Sequence, residues 1–219
     1  MPEAGPATLE VAPAALFSFV AYLLLIVAIG VWSARFSSGG TAQFYLAGRS
    51  LGHVVVALSA VVSGRSAWLL VGFTGIAYQR GASAVWAAVG YIAVEAVLFL
   101  AYAPRLRRFA EAHDCITLPD FFSARFGGTT RAALALRGLT VVVILLFMVS
   151  YVAAQFVAGG KSFASSFGFE PFTGILVTAA IVLAYTCLGG FLAVSLTDVV
   201  QACLMLVALV TLPLFAVRD

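Results

Sequence analysis

The chain has 219 residues, of which 63% are hydrophobic and only 10% charged, and its formal net charge is +3. Soluble domains are about 45–50% apolar and about 25% charged, and one of this length cannot keep so much apolar surface away from water. The balance excludes a soluble globular domain and makes lipid the solvent.

Taken in chain order, the apolar runs predict an all-α polytopic membrane protein with six transmembrane helices, because a spanning helix needs about 20 mostly apolar residues. Residues 1–13 carry Glu3 and Glu10 and no basic residue, which is unlike a signal peptide, and are read as an extracytoplasmic N-terminus. The spans are expected at about 14–32, 53–78, 82–102, 139–157, 172–188 and 198–217. They are apolar on all faces, and too long for barrel strands of about 9–11 residues. A backbone in lipid must satisfy its own hydrogen bonds, so helices follow.

Orientation comes from the arginines. Arg35 and Arg49 fall between spans one and two, and Arg105, Arg107, Arg108, Arg125, Arg131 and Arg137 between spans three and four. That places eight of the twelve basic residues on one side. The positive-inside rule puts these loops in the cytoplasm, with the N-terminus outside and a cell inner (plasma) membrane as the setting. In the long loop, Thr117-Leu118-Pro119-Asp120 reads as a helix start: a capping hydroxyl, a first-turn proline and an acid at the positive end of the dipole. Phe121, Phe122 and Phe126 would bury against the bundle or lie near headgroups.

Catalytic chemistry has few players. Phosphate-loop, zinc-protease and nucleophile-elbow motifs are all missing from the sequence. Cys115, Cys187 and Cys203 form no CxxC pair, and His53 and His113 stand apart. The expected partners are membrane lipids and a small solute, not nucleic acid.

Three features are costly in a membrane. Span two is interrupted at Ser63-Gly64-Arg65-Ser66, with Ser59 nearby. A discontinuous helix exposes carbonyls to a cation and amides to an anion, although small residues also serve close helix packing. Arg65 lies some twelve residues from either end of the span, where an arginine costs at least about 2.5–3.5 kcal/mol. It pairs with an acid such as Glu95 in span three, or it faces a substrate carboxylate or an ion site. Asp198, after Thr197, either caps span six or lines a cytoplasmic cation exit.

These residues also carry a family resemblance. Phe44-Tyr45-Leu46-Ala47-Gly48-Arg49-Ser50-Leu51-Gly52 resembles the segment before the second span of sodium:solute symporters, most like the sodium/proline branch. Ala57-Leu58-Ser59-Ala60, Ser66-Ala67-Trp68-Leu69-Leu70, Ala103-Pro104-Arg105-Leu106-Arg107, Leu118-Pro119-Asp120-Phe121-Phe122, Val157-Ala158-Gly159-Gly160-Lys161 and the run from Gly189 to Gln201 continue it in order, from about residue 14 to the end.

The resemblance implies a leucine-transporter-type fold: a preliminary helix, then two inverted five-helix repeats. Residues 14–219 would supply the preliminary helix and the first repeat, with the second half expected from further sequence. It implies secondary transport of a small solute such as an amino acid or carboxylate, with Na+ as the coupling ion. By position, Val62 and Arg65 would lend carbonyls to the ion and Asp198 would act in its release. Gly64, Arg65, Ser66, Ala67, Trp68 and Tyr151 would line the solute pocket. In the proline branch the position of Gly64 is an aspartate, so Gly64-Arg65 swings the local charge by two. A charge 4 Å away contributes about 4 kcal/mol at an effective dielectric of about 20, which argues for altered coupling, with Arg65 in the ion's structural place. Similar modules also act as input domains of histidine kinases, so a membrane sensor is the alternative.

Overall fold

The apolar runs are helical because a helix satisfies its backbone hydrogen bonds within itself, whatever solvent surrounds it. The computed structural model describes residues 13–67, 72–127 and 130–216; of these, 92% are helical and none is in a strand. Four helices are long and apolar enough to cross a membrane: Leu16–Ser37, Thr74–Ala112, Arg131–Phe167 and Pro171–Ala216. A fifth crossing is available if the bent pair Thr41–Arg49 and His53–Ser66, which turns by 110°, is one span. Large apolar side chains point outward along them, Leu100 at 81% exposure and Phe17 at 75%, a surface that hydrocarbon suits and water does not.

The chain divides into two units, residues 1–66 with 155–219, and residues 67–154. In the first unit, α1 (Pro13–Ser37) packs along α9 (Pro171–Ala216). At 1.5 Å per residue a helix as long as α9 would be about 70 Å, more than twice the hydrocarbon thickness of about 30 Å. Gly190 divides it, with φ 57° and ψ −149°. Glycine is required there twice over, because a Cβ would meet the carbonyl oxygen of Phe44 at 2.6 Å and L-residues avoid positive φ. The short α2 (Thr41–Leu46) and a 3-10 turn (Ala47–Arg49) lead to α3 (His53–Ala67).

Small residues set the helix approaches. Gly30 of α1 faces Tyr185 of α9, and Gly189 lies under Gly30 and Ser33. The last part of α8 (Arg131–Phe167) turns back into α9 through Gly168, and Gly159 and Gly160 meet Thr178 and Ile175. Phe19, near the start of α1, closes this end against Phe163 and Phe167, with ring centroids 5.4 and 4.9 Å apart. Ser37, at the other end of α1, donates to the carbonyl of Gly189 at 2.5 Å.

The second unit contains α4 (Thr74–Arg80), α5 (Val85–Val97), α6 (Ala103–Ala112), α7 (Leu118–Phe126) and the first part of α8. A π-helical turn, Leu98–Tyr102, joins α5 to α6. Pro104, two residues after the turn, lacks an N–H for the helical ladder, a sufficient cause for the widened turn. Helix α7 starts on Thr117, whose side chain accepts from the Asp120 N–H while the Asp120 carboxylate accepts from the Thr117 N–H.

Candidate functional site

Helix α3 carries Ser59 and Ser63 one turn apart, so their side chains leave from one face. The second arm of α9, residues 191–216, carries Ser195, Asp198 and Ala202 on one face, all buried. Where these faces meet, the Ser59 hydroxyl donates to Asp198 Oδ2 at 2.5 Å and the Ser63 hydroxyl donates to the same oxygen at 3.3 Å. Ser59 and Asp198 are each only 8% exposed. The shorter contact falls in the range of charge-assisted O–H···O⁻ bonds, about 2.5–2.7 Å.

Further polar side chains of α1 and α9 lie in the same region of this unit. One turn beyond Asp198 on α9, the Gln201 amide donates to the Tyr22 hydroxyl of α1 at 3.0 Å. Tyr22 and Tyr185 both lie within electrostatic range of Asp198. Thr197 is fully buried and donates to the Val194 carbonyl at 2.8 Å. The Ser195 hydroxyl is buried with no hydrogen-bond partner among the described residues. No three His, Cys, Asp or Glu side chains cluster there as a metal site among the described residues. The donors are hydroxyl and carboxylate oxygens, hard ligands of the kind that take alkali cations or protons.

The sequence-expected residues separate into groups. Span two is broken, as its Ser63–Ser66 interruption suggested, but the break falls at the last of those four residues. Ser66 has φ 34° and ψ −155°, whereas Gly64 keeps helical geometry within α3; a helix tolerates glycine at a cost of about 1 kcal/mol without breaking. Val62 and Arg65 lie in the turn before this break, where carbonyls run past the helix end. Arg65 is half-buried and its Nη1 donates to the Val61 carbonyl at 3.0 Å. At 100° per residue it sits about 200° around α3 from Ser63, so it is not brought to Asp198. Ala67 ends α3, and Trp68 lies outside the described residues. Tyr151, 42% exposed on α8, belongs to the second unit, as does Glu95.

Asp198 also differs from its expected setting. The second arm of α9 is helical from residue 191, so Asp198 stands two turns inside it and caps nothing. Gly190 supplies the start that the polar Thr197-Asp198 pair suggested. Sequence reasoning noted Ser59 and Ser63 as nearby hydroxyls but did not join them to Asp198, and it missed Tyr22, Tyr185 and Gln201. The serine spacing at i and i+4 was the available signal; nothing in the sequence says which distant acid that face meets.

The profile of the sodium:solute symporter family matches residues 44–219. Curated relatives named sodium/proline symporter, from Staphylococcus aureus strains JH9, USA300 and COL, are each 39% identical over 199 residues. The alignments cover 90% of this chain and 38% of each relative, so the chain spans well under half the length of the curated relatives it matches. No solved structure matches it. On a profile match across most of its length and on these alignments, the chain belongs to the sodium:solute symporter family.

Proposed function

We propose that the chain forms part of a cation-coupled symporter of a small organic solute, with proline or a related amino acid as the first candidate. One observation carries the reading: the buried Asp198 carboxylate held by Ser59 and Ser63 across two helices. Intramembrane acids are expensive and mark ion and substrate pathways. Family membership and the named function of the relatives support transport over the signal-input alternative.

In this reading Asp198, Ser59 and Ser63 handle the coupling cation, which is cargo, and the broken end of α3 offers the carbonyls of Val62 and Arg65 to it. Gly64, Arg65, Ser66, Ala67, Trp68 and Tyr151 contribute to the solute pocket, completed by a second transporter half. The division of α9 at Gly190 and of span two at Ser66 supports six crossings in a leucine-transporter-type repeat. The arginine distribution supports a cell-membrane setting with the N-terminus outside.

The test is uptake of labelled proline, then of other amino acids and carboxylates, by the full-length protein in proteoliposomes with and without an inward Na+ gradient. Gradient-driven uptake that Asp198→Asn abolishes is the expected result. Uptake indifferent to both the gradient and Asp198→Asn overturns the coupling role, and no uptake of any of these solutes overturns the transport reading.

A further inference from the structure

The cap formed by α6, α7 and the start of α8 is not used by the proposed transport site. It carries six arginines (Arg105, Arg107, Arg108, Arg125, Arg131 and Arg137) against three acids (Glu111, Asp114 and Asp120). Two arginines have carboxylate partners: Arg137 Nη2 lies 3.0 Å from Asp120, and Arg107 lies 3.9 Å from Glu111. Arg105, Arg108, Arg125 and Arg131 are exposed and have no carboxylate within ion-pair distance among the described residues.

Their arrangement is ordered. Arg105 and Arg108 are one turn apart and leave α6 from the same side. The Arg125 guanidinium of α7 sits 5.8 Å from the Phe109 ring centroid. That ring stacks on His113 at 4.1 Å and meets Phe121 edge-on at 4.9 Å. A guanidinium held over an aromatic face loses little freedom on meeting a planar or tetrahedral anion.

Apolar side chains stand exposed among these cations: Leu106 at 39%, Leu118 at 49%, Phe126 at 63% and Leu134 at 60%. Helix α6 itself continues the apolar run Thr74–Ala112, so its arginines begin just after the exposed apolar turn Leu98–Tyr102. Cations and bare leucine or phenylalanine on one face, at the end of a spanning helix, match an acyl-chain and headgroup boundary.

We propose that this cap is an anionic-phospholipid binding surface, in which Arg105, Arg108 and Arg125 take headgroup phosphates and Leu106, Leu118 and Phe126 enter the acyl boundary. The proposal is independent of the transport reading, because none of these residues belongs to the Ser59–Asp198 site.

The test is lipid retention by the purified full-length protein from nanodiscs of phosphatidylcholine with about a third phosphatidylglycerol, read by native mass spectrometry. The wild type retains phosphatidylglycerol preferentially, and retention falls as salt rises. Each surface arginine is worth roughly fivefold in affinity, so Arg105→Gln, Arg108→Gln and Arg125→Gln together lower retention at least about tenfold. The triple Arg→Lys variant keeps most of it. Arg107→Gln, whose arginine is paired with Glu111, leaves it within about twofold. Circular dichroism and a monodisperse elution profile establish that each variant is folded. Equal retention of the two lipids by the wild type, unchanged retention in the folded triple Gln variant, or displacement of lipid by equimolar inorganic phosphate would overturn the proposal.

Discussion

Ser59 and Asp198 lie 139 positions apart in the chain, yet the serine hydroxyl sits 2.5 Å from the aspartate oxygen. This bond joins α3 to the second arm of α9 and places the buried acid against hydroxyls. Stability and coupling are therefore expected to depend on the same two residues.

Ser59→Ala leaves a buried carboxylate short of a donor. A loss of about 1–3 kcal/mol in stability follows, measurable as a lower thermal midpoint in detergent. Asp198→Asn keeps the shape and an acceptor oxygen, so it folds, and the double variant with Ser59→Ala loses less than the sum of the two singles. Additive losses in this cycle would mean that the two side chains do not interact.

Gly190 and Gly81 offer a matched comparison. Both have positive φ, 57° and 59°, but a Cβ at Gly190 meets the Phe44 carbonyl at 2.6 Å, whereas one at Gly81 meets nothing within 4 Å. Gly81→Ala should cost only the strain of its backbone geometry, φ 59° and ψ −143°, about 1–3 kcal/mol. Gly190→Ala should cost clearly more, seen as a larger drop in thermal midpoint or loss of folded protein. Equal midpoints would show that the α2–α9 contact is not tight.

Ser66 occupies backbone geometry that glycine accepts far better, at φ 34° and ψ −155°. Such residues store about 1–3 kcal/mol and concentrate at functional breaks. Ser66→Gly is expected to raise the thermal midpoint, and Ser66→Val to lower it. A lower midpoint for the glycine variant would place the stabilising role on the hydroxyl instead.

At α7, the Asp120 carboxyl is held below its ordinary pKa, first by the Thr117 hydroxyl, which donates to it at 2.7 Å, and also by Arg137. A folded-state value below the unfolded one adds stability above the unfolded pKa. That stability is lost as pH falls through the lowered folded value. Thr117→Ala removes the cap and costs about 1 kcal/mol at neutral pH. The difference from wild type should shrink below the ordinary carboxylate pKa, as followed by thermal melts against pH. A constant difference at all pH values would separate the cap from the charge.

The sequence alone determined the solvent of this protein and its helical class. Long uncharged runs force self-satisfied helices in lipid, and the ordered motifs from Phe44 onward carried the family. The break in span two was legible from Ser63 to Ser66, because small polar residues weaken a helix where apolar ones would continue it. Which of those residues bends the chain was not legible, since Gly64 fits a helix and a serine such as Ser66 has no local preference for the positive φ it adopts. Arg65 drew notice as the most expensive residue in lipid, yet it stands about 200° around α3 from Ser63, on a different side from the serine face that meets Asp198. Only the tertiary structure decided that Ser59 and Ser63 meet Asp198, and that Gly190 starts the helix bearing it. Hydropathy and helical period specify which side chains share a face; which faces meet depends on where distant glycines let backbones approach, and Gly30, Gly189 and Gly190 set that between α1, α2 and α9.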